Sequence, residues 1–162
     1  NAKISCLITL LFSLNVYSVD TSACYDTAMS QLDLNRCAGV DNKKAELEMQ
    51  RVILEIQRLY KGEVKFLSNL EQSQQNWETQ LELDLNLKFP KEDEALYYGS
   101  VFPMCYSSYK TRLMLQRIAF LKEWLKGSKE GEVCSGSIKH EYFLKHVERS
   151  NQTSQSSESA HS

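Results

Sequence analysis

The side chains with chemistry to offer in this 162-residue chain are five cysteines, three histidines and a surplus of carboxylates. None of the cysteines (6, 24, 37, 105, 134) lies in a C-x-x-C pair, and no histidine stands at zinc-ligand spacing from any of them. His140, Glu141 and His146 come nearest to a metalloprotease motif, but the histidines are six residues apart instead of four. At about 100° per residue that turns them roughly 240° from one another, off any common helix face. They read as surface histidines, and His161 lies in a polar tail. Acidic groupings such as Glu82/Asp84 and Glu92/Asp93/Glu94 read as solvated faces, and no Gly-x-Ser-x-Gly, phosphate loop or EF-hand loop occurs. The residues argue against an enzyme, with no catalytic set, no metal and no cofactor.

Cysteine usage then turns on compartment. Lys3 precedes an apolar run from Ile4 to Leu14, followed by Val16-Tyr17-Ser18. A basic start, a short apolar core and small residues describe a secretory signal peptide, expected over 1–18 with cleavage after Ser18 and Ala23 as second choice. The run is too short for the roughly 20 residues a membrane span needs. A lipoprotein cut before Cys24 would lack the apolar residue normally found three positions upstream. Removing the leader also removes Cys6, leaving Cys24, Cys37, Cys105 and Cys134 as disulfide candidates. An even count in an exported chain favours staples over reactive thiols.

The mature remainder would carry 18 basic and 21 acidic residues, which gives no basic face for nucleic acid. Its periodicity gives three long helices. Ser30-Gln31-Leu32-Asp33 is a capping box with Asp for Glu, so the first helix starts near Gln31, with Gly39 as a candidate nick. Ala45, Met49, Val52, Ile56 and Leu59 form its apolar stripe, and Lys61-Gly62 ends it. Phe66, Leu70, Trp77, Leu81 and Leu85 mark the second helix, with polar Ser73 and Gln74 interrupting the stripe and Pro90 stopping it. Tyr106, Tyr109, Leu113, Phe120 and Trp124 mark the third, ending before Gly127, and residues 138–147 suggest a short fourth. Short connections make neighbours antiparallel. The expected fold is an all-α, antiparallel three-helix bundle over 19–149, with a disordered polar tail over 150–162.

These pieces resemble the bacterial lysozyme inhibitor LprI family, in its N-terminal domain. The family's cysteine followed by a Thr/Ser-Gln-x-acidic-Met/Leu-Asn-x-Cys-Ala block is matched by Cys24 and Ser30-Gln31-Leu32-Asp33-Leu34-Asn35-Arg36-Cys37-Ala38. Its Ala-Gln-x-x-Trp block is represented by Ser73-Gln74-Gln75-Asn76-Trp77, its Gly-Gly-Ser loop by Tyr98-Gly99-Ser100, and its closing helix by Cys105 with Arg112 or Arg117. The family-motif residues are thus Gln31, Asn35, Cys37, Gln74 and Trp77. The chain departs from the pattern where an Arg-Asp-x-x-Cys would follow the Trp, at the first loop Gly (here Tyr98), and in carrying Cys134.

In such a bundle Cys24, Cys37 and Cys105 share the end where the first helix begins. Pairing Cys24 with Cys37 needs only a fold-back of the preceding residues. Cys105–Cys134 would require a bent or late-starting third helix, or a returning tail, because a helix of that length runs roughly 30 Å.

The resemblance implies a binding protein whose partner is a lysozyme, a strongly basic enzyme in many cases. Charge suggests where it would dock: Glu63 to Glu94 holds eight acids and three bases, and the adjoining loop adds Tyr97, Tyr98, Gly99, Ser100, Phe102 and Pro103. Glu92, Asp93, Glu94, Tyr97, Tyr98, Gly99, Ser100 and Pro103 are the candidate binding residues, with complementary charge steering encounter and aromatics anchoring it. The competing account is structural, with acids solvating the second helix and tyrosines closing the bundle. The alternative function is a secreted helical interaction module or envelope-associated adaptor with another protein partner.

Overall fold

The computed structural model describes residues 22–132, 134 and 137–146, so the expected leader and polar tail lie outside the described residues. Along the chain run α1 (Ser22–Thr27), α2 (Gln31–Leu59), α3 (Val64–Lys88), α4 (Glu94–Tyr98), a 3₁₀ turn at Gly99–Val101, α5 (Phe102–Leu121) and α6 (Glu123–Lys126). A further helical turn spans 141–146. The three expected long helices are α2, α3 and α5; the short segments around them were not all foreseen. Among the described residues the sole β feature is an isolated parallel bridge between Ser128 and His140.

Local chemistry sets the helix ends. The Ser30 hydroxyl accepts the Asp33 amide at 3.2 Å and donates to the Asp33 carboxylate at 2.7 Å, while the Met29 amide donates to that carboxylate at 3.3 Å. Asp thus completes a reciprocal cap usually made by Glu. Gly39 does not nick α2, which runs through it unbroken; it lies on the exposed face, where an added Cβ would meet nothing. α3 stops at Lys88, ahead of Pro90.

The register of α2 on α5 is nearly constant. The Asn35 amide donates to the Ser100 carbonyl at 3.0 Å, Lys110 pairs with Glu46 at 3.1 Å, and the Tyr60 hydroxyl donates to the Trp124 carbonyl at 3.0 Å. These pairs lie 64 to 65 positions apart, so α2 and α5 run parallel while α3 returns between them in sequence. Small residues Ala38 and Ala45 on α2 are fully buried, and this pair of helices is the most closely packed. Larger side chains, Leu70, Leu81 and Leu85, carry α3 onto it.

The stripe expected for α2 is buried throughout. That of α5 needs correction. Its buried residues are Met114, Arg117, Ile118 and Leu121, whereas Tyr106, Tyr109, Leu113 and Trp124 are half-buried and Phe120 is exposed. α5 touches α2 on one side and α3 on another, so its apolar arc is wide and the aromatic stripe marks only one edge of it.

At the far end the chain folds back over the bundle. Gly127 has φ +80°, and a Cβ there would stand 2.6 Å from the Glu141 Cα, so both conformation and space require glycine. The Ser128 amide donates to the Lys139 carbonyl and the Glu141 amide to the Ser128 carbonyl, each at 2.9 Å. Lys139 Nζ donates to the last α2 carbonyl, Leu59, at 3.0 Å and lies 5.2 Å over the Tyr60 ring. Leu144 is buried beneath. Burial raises the Tyr60 pKa.

Candidate functional site

The acidic, aromatic segment expected to be a loop is built around Phe89. Its ring lies 5.6 Å from Tyr98, 5.3 Å from Phe102, 5.8 Å from Tyr106 and 6.0 Å from Tyr109. Tyr98 also stacks on Phe102 at 5.3 Å. Gly99, at φ +73°, turns the chain from α4 into the 3₁₀ turn, and Pro103 occupies the first turn of α5 where its missing N–H costs nothing. Tyr98, Gly99 and Pro103 therefore shape the segment, and Ser100 supplies the carbonyl that Asn35 grips. Gln31 in turn donates to the Asn35 side chain at 2.9 Å.

What this frame presents outward is α4 and its approach. Leu96 is 83% exposed and Tyr97 65% exposed, with Lys91 Nζ 5.1 Å from the Tyr97 ring. Asp93 caps α4 by accepting the Leu96 amide at 3.0 Å. Glu92, Asp93 and Glu94 are exposed and make no ion pair among the described residues. Leu83 and Leu87, one turn apart on α3, add exposed apolar surface beside Glu82. Sequence reasoning missed Leu83, Leu87 and Leu96. For Leu83 and Leu87 the signal was their failure to fit the stripe at Leu81 and Leu85; the five residues of α4 gave none for Leu96.

At the start of α2, Cys24 and Cys37 form a disulfide with their Cα atoms 5.7 Å apart, and the Tyr25 hydroxyl donates to Asp41 at 3.1 Å. α1 is thereby stapled along α2. Among the described residues the pairing stops there: the expected candidates Cys105 and Cys134 are free and exposed. Cys105 sits in the first turn of α5 and Cys134 beyond its other end, so a helix of 20 residues, about 30 Å, separates them.

In mid-bundle, Arg117 is only 9% exposed. Its Nε donates to Gln74 Oε1 at 3.2 Å and its Nη2 to Ser73 Oγ at 3.0 Å. The guanidinium lies 5.0 Å from the Phe120 ring and 5.8 Å from that of Trp77. Burial lowers its pKa, opposed by the charge of Glu78. Arg112, the other candidate, lies over the Tyr109 ring at 4.7 Å. His140 Nδ1 accepts the Tyr142 amide at 3.2 Å and the His146 ring lies 4.1 Å from that of Tyr142. Among the described residues no group of three His, Cys, Asp or Glu is placed to hold a metal ion.

Comparison with known families decides the relationship: the family described as lysozyme inhibitor LprI matches residues 22–121. The chain belongs to the LprI family. No curated protein and no solved structure matches it. The matched LprI segment ends with α5, so α6 and the fold-back over the bundle lie beyond it. Within it, the residues expected to carry the family motif all have structural partners. Gln31 and Asn35 tether the segment ahead of α5, Cys37 closes the staple, and Gln74 with Trp77 houses Arg117. These residues brace the frame, whereas Leu96, Tyr97 and the three adjoining acids are exposed on it. No helix among the described residues is long and apolar enough to cross a membrane.

Proposed function

We propose that this chain is an exported, non-catalytic binding protein that inhibits a lysozyme, docking through α4 and the residues leading into it. Membership of the LprI family is the observation that carries the reading. The surface supports it: Leu96 and Tyr97 project among Glu92, Asp93 and Glu94, whose charges are not spent on internal ion pairs. Acids steer a basic enzyme to the surface, and two apolar side chains on a braced helix lose little freedom when they anchor it. Tyr98, Gly99, Ser100 and Pro103 act by holding α4 in place. The disulfide is what an exported chain can form and keep, in line with a leader over 1–18, a domain over 19–149 and a polar tail.

The test is inhibition of cell-wall lysis by several lysozyme types at physiological salt, using oxidised protein. One variant carries Tyr97→Ala, Glu92→Gln, Asp93→Asn and Glu94→Gln; Asn at 93 keeps the α4 cap. Dose-dependent inhibition by the native protein, weakened about tenfold or more in the variant, is expected for a surface with a hot-spot anchor. Full inhibition by the folded variant would move the site elsewhere. No inhibition of any lysozyme type would overturn the functional reading itself.

A further inference from the structure

The face of α2 turned away from the bundle joins cations to aliphatic side chains without an acid. From residue 36 to residue 61 the exposed positions are Arg36, Gly39, Val40, Lys43, Leu47, Gln50, Arg51, Leu54, Gln57, Arg58 and Lys61. Five are cationic, three are aliphatic and none is acidic. At 100° per residue the ten within α2 fall on one arc, with Val40, Leu47 and Leu54 in line along its centre at intervals of two turns, and Lys61 follows in the turn after the helix. The four acids of the same stretch, Asp41, Glu46, Glu48 and Glu55, are all half-buried on the flanks. They pair there with cations three residues away, as in Lys43–Glu46 at 3.2 Å and Arg51–Glu48 at 2.8 Å. The two arginine pairs, Arg51–Glu48 and Arg58–Glu55, are bidentate. They hold the cationic stems along the edges of the stripe without removing the outward positive charge.

We propose that this stripe rests on an anionic phospholipid surface. A coiled-coil partner would need apolar residues at two positions of each heptad, but the intervening places hold Lys43, Gln50 and Gln57. An anionic polymer would have no use for Val40, Leu47 and Leu54, which are 48%, 54% and 65% exposed. A lipid surface uses both features. The three aliphatic side chains enter the headgroup boundary while Arg36, Lys43, Arg51, Arg58 and Lys61 reach sideways to phosphates, as long cationic side chains do. The α4 surface belongs to other elements, so the two contacts are separable.

The experiment is co-sedimentation of the oxidised, exported protein with vesicles of phosphatidylcholine alone, or carrying about one-third phosphatidylglycerol. Binding roughly tenfold tighter on the anionic vesicles, falling as salt is raised, is the expected result. Leu47→Glu combined with Leu54→Glu should reduce it a further tenfold or so while leaving the circular dichroism unchanged, because both leucines are exposed. The Glu92→Gln, Asp93→Asn, Glu94→Gln variant should bind as the native protein does. Equal binding to neutral vesicles, no binding to either, or full binding by the folded leucine variant would each overturn the proposal. So would a dimer in sedimentation equilibrium that the leucine variant abolishes.

Discussion

Replacing Gln74 by Leu tests whether the polar break in the α3 stripe exists for Arg117. Arg117 is almost fully buried, has no carboxylate within ion-pair distance among the described residues, and donates from two of its nitrogens to the neutral side chains of Gln74 and Ser73. It remains charged at any ordinary pH despite the downward push of burial. Removing Gln74 takes away an acceptor from a buried cation, a loss of about 2 kcal/mol for a hydrogen bond to a charged group. For a domain of this size the melting temperature should fall by roughly 5–10 °C. Arg117→Met is the informative partner. It removes the charge together with its desolvation, keeps an unbranched stem against Phe120, and leaves Gln74 its other contacts, Met49 Sδ at 3.4 Å and Glu78 Oε1 at 3.2 Å. The two hydrogen bonds and the cation–π attraction are lost, but so is the desolvation of a buried charge, so the cost should stay below that of Gln74→Leu.

The order of the three variants therefore matters more than any single value. Urea denaturation of the oxidised protein should show Gln74→Leu as the least stable. Arg117→Met should lie nearer the native protein, and the double variant close to Arg117→Met instead of at the sum. Additive losses, or Arg117→Met proving the more damaging, would refute the argument that Gln74 serves the arginine.

Cys24→Ala with Cys37→Ala should cost about 3 kcal/mol, the loop-closure entropy for a separation of 13 residues, read as a lower urea midpoint that reducing agent does not lower further. Glu48 bridges helices, hydrogen-bonded by Arg51 and by Lys122 at 2.7 Å, and the Arg51 bond chiefly holds its carboxyl down to about 2 from 4.5. A depressed folded-state value contributes stability above the unfolded value and loses it as pH falls toward the folded one. Stability should thus decline between pH 4.5 and about 2, by no more than about 1 kcal/mol from this partly exposed group, and Glu48→Gln should flatten that part of the curve. Tyr98→Ala should lower the melting temperature through its lost edge contact with Phe89 and stacking on Phe102, whereas Tyr97→Ala, which gives up only an edge contact with Tyr98 from a mostly exposed ring, should lower it less.

The helices were legible where one face alone is apolar. α2 shows this best: its stripe from Ala45 to Leu59 is the buried set, and Ser30 and Asp33 mark its start. α5 was legible as a helix but not in its facing, because a helix between two neighbours buries or half-buries residues over more than half its circumference. Its buried arginine is written as though for the surface, and only the polar pair Ser73 and Gln74 opposite hinted otherwise. α4 was hidden for a different reason. Five residues carry no period, and its aromatic content reads equally as anchor or as packing. Structure gives Tyr98 to the Phe89 cluster and sets Tyr97 edge-on against Tyr98 with most of its ring in solvent.

The outward face of α2 was available from sequence by complement. Once Ala45, Met49, Val52, Ile56 and Leu59 define the core side, the opposite arc is fixed by the same 100° step, and the heptad Val40, Leu47, Leu54 falls along it. Searching for apolar residues alone obscures this, since three aliphatics among cations give a weak signal against a full core stripe. The charges give the better one: a helix rich in acids places all of them on its flanks, half-buried, and leaves only cations in full solvent. Acids and bases of near-equal number in the composition thus become, on the folded surface, an acidic α4 approach and a cationic α2 stripe. Net charge averages these away, and a single weakly negative value for the whole chain describes neither surface.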